Sequence, residues 1–66
     1  MKATYDSRTD CLTLVLKDRV PVTESNEASP GVILDYDHEG DLISLEVLDA
    51  SDRVSDAQKV EFRVTE

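Results

Sequence analysis

The chain has 66 residues, with 15 Asp and Glu against 7 Lys and Arg, giving a net charge of −8 and a single cysteine. That length holds one domain with a small core. The charge disfavours nucleic acid and anionic membranes, because phosphate is held mainly by Lys and Arg, and no run approaches the ~20 apolar residues of a membrane span.

Period-two alternation of apolar side chains dominates, the pattern of strands with one buried face. Met1, Ala3 and Tyr5 alternate with Lys2 and Thr4 in a first strand. Leu12, Leu14 and Leu16 enclose Thr13 and Val15 in a second. Between them, residues 6–10 are polar and rich in side chains that bond their own backbone, as a hairpin turn requires. A loop of Ser7–Asp10 sets Tyr5 opposite Leu12 and joins the two apolar sets on one face.

Residues 18–30 carry the weakest pattern, with Pro21 and Pro30 as breakers. Val20 and Val22 offer a short edge segment there, where a proline is tolerated. Val32, Leu34 and Tyr36, then Ile43, Leu45 and Val47, make two further strands around Asp37-His38-Glu39-Gly40, a turn that ends in the residue most tolerant of positive φ. A loop of two or four residues puts these two sets on one face, whereas an odd loop without a bulge would oppose them. Residues 51–58 predict one short helix, with Ser51 as N-cap, Asp52 in the first turn, and Val54 and Ala57 three apart on one side. Val60, Phe62 and Val64, alternating with Glu61 and Arg63, make a fifth candidate strand. The expected fold is mainly β within the α+β class: an antiparallel β-meander of four to five strands with one short helix, in a single domain spanning 1–66.

The core this provides is thin, so self-association into a homodimer is one expectation. Val15, Ile33, Leu42 and Leu48 form a second apolar set, to be covered by the helix or used as an interface. Cys11 has no internal disulfide partner, which suits a reducing cytoplasm. The chain opens on Met1 and reads as a complete small protein, and no basic segment followed by an apolar one marks a signal peptide.

The segment most suggestive of chemistry runs from Asp35 through Asp37, Glu39, Gly40 and Asp41 to Glu46. Its spacing reproduces an EF-hand calcium loop: oxygen ligands at positions one, three and five, glycine at six and glutamate at twelve. An EF-hand needs an entering helix, and Pro30-Gly31-Val32-Ile33-Leu34 provides breakers and β-formers instead. On a hairpin, Glu46 also lies roughly 7–13 Å along the strand from Asp35 at ~3.3 Å per residue, beyond joint ligation of one ion at about 2.3–2.6 Å. Divalent metal on Asp35, Asp37 and Glu39 therefore stands as an alternative, and an acidic hairpin turn as the primary reading.

His38 is the only histidine and falls in the turn, so neither a zinc set nor a base for a serine nucleophile is expected. Gly31 and Gly40 are the only glycines, too few for a phosphate-cradling loop. The expectation is a protein without enzymatic activity and without a cofactor. A basic protein partner is favoured by charge complementarity, with Ile33, Asp35, Asp37, Glu39, Asp41, Leu42 and Leu48 as the candidate contact surface.

Three segments together resemble a family of small bacterial and archaeal proteins catalogued as domain of unknown function 2283. They are Met1 to Asp6 leading through Asp10 into Leu12-Thr13-Leu14, then Pro30-Gly31-Val32-Ile33-Leu34-Asp35-Tyr36-Asp37 with Gly40, then Leu45-Glu46-Val47-Leu48-Asp49-Ala50-Ser51. The resemblance covers residues 1 to about 53. It implies a small β-meander with a short helix and no established activity. Some members of the family are encoded beside ribonuclease-like toxins, which implies an antitoxin role with a basic toxin as partner.

Overall fold

The polar run after Tyr5 closes the first hairpin as its composition requires. In the computed structural model, which describes residues 1–66, strand β1 (Lys2–Asp6) pairs antiparallel with β2 (Cys11–Val15), and Tyr5 stands opposite Leu12. Asp10 ends the turn at φ 54°. That is the left-handed region, which aspartate enters more readily than most residues because its short side chain bonds locally.

Three more strands follow: β3 (Glu24–Ser29), β4 (Val32–Tyr36) and β5 (Leu42–Val47). The five form one antiparallel sheet in the order β1-β2-β5-β4-β3. The hairpin β1–β2 and the meander β3-β4-β5 are thus joined through β2 and β5, distant in sequence, while the connection Leu16–Thr23 carries the chain to the far edge. This is a Greek-key link. It has about 14 Å to cover, three strand spacings of ~4.8 Å.

The structure departs from the sequence pattern in two places. The fifth strand is β3 in the weakly patterned region, and residues 60–64 form none. Glu24-Ser25-Asn26-Glu27-Ala28-Ser29 has no apolar alternation because it is an edge strand exposed along its whole length. Backbone pairing to β4 holds it there: Asn26 lies opposite Leu34 and Glu24 opposite Tyr36. Val60, Phe62 and Val64 have the alternation but no neighbouring strand, and Phe62 is 76% exposed.

The β4–β5 register shows why loop parity matters. The loop Asp37–Asp41 is odd, so Tyr36 stands opposite Leu42. A bulge at that point shifts the ladder by one residue, so that Leu34 meets Leu45 and Val32 meets Val47. Without it the two apolar sets would face opposite ways. A bulge also interrupts β3 against β4 between Glu27 and Ser29, blunting an edge already carrying two glutamates.

Register places Ala3, Tyr5, Leu12, Leu14, Leu45, Val47, Val32 and Leu34 on one face. Thr4, Thr13, Glu46 and Ile33 share the other, with Val15, Ser44, Asp35 and Ser25 on the next rung. Leu42, opposite Tyr36, belongs to the first face, apart from Val15 and Ile33. The sheet is a single layer. Ile43 and Ala50 are the only fully buried apolar residues, and the leucines and valines of the apolar face are half-buried.

Helix α1 (Ala50–Arg53) is four residues long, shorter than the predicted 51–58, and Val54 already has extended geometry. The N-cap is Asp49, not Ser51, and its left-handed backbone (φ 53°) leaves its own side chain without a capping bond. The free N–H groups of a first turn need acceptors, and Asp10 supplies them from the first hairpin. Its carbonyl accepts Ala50 N–H at 2.9 Å, and its carboxylate accepts Ser51 N–H at 3.0 Å and the Ser51 hydroxyl at 2.6 Å. Tyr5 donates its hydroxyl to the same carboxylate at 2.6 Å. One aspartate thus ties β1, the first turn and α1 together. At Gly31 (φ 82°) an added Cβ would lie 2.8 Å from the Arg53 guanidinium, which rests against the β3–β4 turn. No helix is long and apolar enough to cross a membrane.

Two outcomes are expected in urea titrations. Truncation after Gln58 should leave the unfolding free energy within about 0.5 kcal/mol of the full chain's, the range of substitutions away from structural features. Asp10→Ala should lower it and accelerate amide exchange at Ala50 and Ser51 before the sheet opens.

Candidate functional site

The acidic turn Asp37–Asp41 begins with an aspartate that bonds its own loop. Asp37 Oδ1 accepts the N–H groups of Glu39 at 2.9 Å and Asp41 at 3.0 Å. Its carbonyl accepts Gly40 N–H at 3.0 Å, and its own N–H donates to the Asp41 carbonyl at 3.0 Å. Gly40 takes φ 83°, a backbone state that costs glycine least. The other carboxylate oxygen, Oδ2, receives Lys17 Nζ at 3.0 Å, and the same ammonium reaches Asp41 Oδ2 at 3.3 Å. Lys17 lies just beyond β2, so this pair fastens the start of the Greek-key connection to the β4–β5 turn.

The Asp37 side chain is only 1% exposed, while those of Lys17 and Asp41 remain 44% and 58% exposed. The Lys17 hydrogen bond holds the Asp37 carboxyl below the usual aspartate range; burial opposes this, and the backbone bonds from Asp41 and Glu39 assist it. The same contacts with Asp37 and Asp41 raise Lys17. At the opposite end, hydrogen bonds from Ser51 and Tyr5 lower Asp10. The bond to Asp10 raises Tyr5.

Asp35 is buried for a different reason. It sits mid-sheet between two serines on one rung, accepting Ser25 Oγ at 2.6 Å and Ser44 Oγ at 2.8 Å, one to each carboxylate oxygen. Asp35 and Asp37 thus belong to separate hydrogen-bond sets, and Glu39 points outward. No three His, Cys, Asp or Glu side chains gather into a group able to hold a metal. His38 is exposed, 3.8 Å from Glu39. Cys11 is half-buried at the start of β2.

The seven residues expected to form a contact surface are therefore distributed. Glu39 and Asp41 share the exposed turn; Asp35 and Asp37 are internal. Ile33 and Leu48 lie toward the α1 end, where Leu48 N–H bonds the Gly31 carbonyl at 2.8 Å, and Leu42 is on the other face. Sequence reasoning missed the partner of the turn, Lys17. It also missed Glu24, brought to the same end through its pairing with Tyr36, and exposed Asp18 beside Lys17. An unpaired lysine ending a strand, with only acids elsewhere to receive it, was the available signal.

The sequence model of a family described as a protein of unknown function (DUF2283) matches residues 2–51. The chain belongs to this family. The matched span ends within α1, so the whole sheet and the Asp10–Ser51 tie fall inside the DUF2283 domain, while residues 52–66 lie beyond it. No curated protein and no solved structure shows significant similarity. The residues that carry the family resemblance coincide with structural ties: Tyr5, Asp10 and Ser51 in one network, Gly31 at positive φ, Asp35 between serines, and Asp37 closing its own turn.

The pKa directions fix the pH behaviour. Asp10 and Asp37 have folded values below the unfolded one, so their stabilisation is present above about pH 3.8 and is lost as pH falls through the depressed folded values. Lys17 and Tyr5 are raised, so their contribution is present below their ordinary values and lost as pH climbs through the raised ones. Lys17→Met removes the largest cause of the Asp37 depression. Acid unfolding followed by circular dichroism should then begin at higher pH than in the unsubstituted chain, and the Asp37 carboxyl titration seen by NMR should move up with it.

Proposed function

We propose that this chain is a cytoplasmic protein-binding module that acts by association rather than catalysis, and that it serves as the antitoxin-like partner of a basic toxin. The observation carrying this reading is the distribution of charge. Asp35 and Asp37 are taken inside and spent on internal hydrogen bonds, yet Asp18, Glu24, Glu39 and Asp41 remain exposed around one end of the sheet, against Lys17 and Arg19. Within that set Asp41 is bridged to Lys17, and Glu39 has only the exposed His38 imidazole nearby, at 3.8 Å.

A surface of this kind raises the encounter rate with a positively charged protein and penalises acidic competitors. The turn is also pre-organised. Asp37 and Gly40 fix its backbone, so Glu39 and Asp41 are presented without a large ordering cost on binding. A toxin that handles RNA needs a basic surface, and an acidic end of this shape would occupy it. Membership of DUF2283 supports the reading through the family resemblance described above.

Co-expression with the product of the adjacent gene, followed by gel filtration, is the test. A complex whose association rate falls at least tenfold between low and high salt is expected. Glu24→Gln, Glu39→Gln and Asp41→Asn combined should slow association with little change in the fold. Independent migration of the two proteins would end the proposal.

A further inference from the structure

We propose that the apolar face of the sheet is the interface of a homodimer, in which a second copy supplies the layer the monomer lacks. Stable domains close a core between at least two layers of secondary structure, and here there is one. Leu45 lies on the central strand β5, flanked on the same face by Leu14 of β2 and Leu34 of β4, and all three are only half-buried. Leu12, Val47 and Val32 repeat the arrangement on the next like-facing rung. The side-chain surface of these six residues carries no charge, although the chain as a whole carries −8.

The dimensions agree with a missing layer. The Cα radius of gyration is 12.6 Å, against roughly 11 Å for a compact chain of this length. The accessible surface is 5210 Å², against about 4200 Å² for a compact monomer of this mass. Residues 21–30 and 58–66, exposed throughout, hold part of this excess of about 1000 Å², and the half-buried apolar face adds to it. A standard interface removes roughly 800 Å² from each partner, so the six residues would form its centre and the exposed or half-buried Ala3, Tyr5, Tyr36 and Leu42 on the same face its surround.

A second copy suits the face better than the chain's own C-terminal segment. Val60, Phe62 and Val64 lie exposed on a segment without regular structure, whereas the apolar set extends across β2, β5 and β4. Two copies related by a twofold axis would meet leucine to leucine, at the ~10 Å separation of packed sheets. The acids stay clear of the contact: Glu46 and Asp35 project from the opposite face, and the exposed turn Asp37–Asp41 lies at the sheet end. Two strongly acidic chains can therefore associate without placing like charges in the interface. The acidic end of each copy remains open, so the dimer would present two such ends.

Light scattering on the full chain between about 10 and 500 µM should give twice the monomer mass of 7.4 kDa, and Leu45→Lys should abolish the dimer. Because that variant can fail to fold, cysteine cross-linking provides the second measurement. In a Cys11→Ser background, Leu45→Cys should form an intermolecular disulfide on mild oxidation, and Glu46→Cys, one residue on and on the opposite face, should not. A monomer at 500 µM overturns the proposal. So does a dimer cross-linked by Glu46→Cys and not by Leu45→Cys, or a face protected by Phe62 of the same chain in nuclear Overhauser spectra.

Discussion

The pairing of β2 with β5 is the constraint on which the other features rest. It sets Leu14 beside Leu45 and Leu12 beside Val47, and it converts a hairpin and a three-strand meander into one sheet. Each end of that seam is fastened by an aspartate. Asp37 draws in Lys17 where β2 leaves the sheet, and Asp10 receives Ala50 and Ser51 beyond the end of β5. Both ties link segments far apart in sequence, so they act only once the seam has formed. The local hairpins can form independently, and closing the long loop between β2 and β5 is the slower entropic step.

The acids of this chain divide into two populations with different physical roles. Asp10, Asp35 and Asp37 accept hydrogen bonds inside the fold: from a helix start, from two serine hydroxyls, and from a turn backbone with a lysine. The remainder are predominantly at the surface and set the external field. The apparent calcium-loop spacing arises because both populations fall within one hairpin. Asp35 and Asp37 have inward structural partners, and Glu39 faces solvent.

The β1, β2, β4 and β5 strands and the Tyr5–Leu12 register were legible because alternation records which side of a strand is buried, and these strands share one apolar face. Strand β3 was not legible for the same reason: an edge strand exposed on both sides has no burial to record, and its place is set by backbone pairing to β4. The C-terminal segment shows the converse, since Val60, Phe62 and Val64 alternate without a sheet edge to receive them. The bulge opposite Tyr36 was foreseen only as a condition on an odd loop. At the candidate site, the turn itself was readable from Asp37 and Gly40. Its fastening by Lys17 was not, because that contact depends on which strands lie side by side.

The strand order has a consequence for biosynthesis. The central strand, β5, is the last to be made, and its two neighbours, β2 and β4, are synthesised before it. Until β5 emerges, both present an unpaired backbone edge and half of an apolar surface. For this chain, exposure to chaperones and to misassembly is greatest while β2 and β4 wait for β5 to come between them.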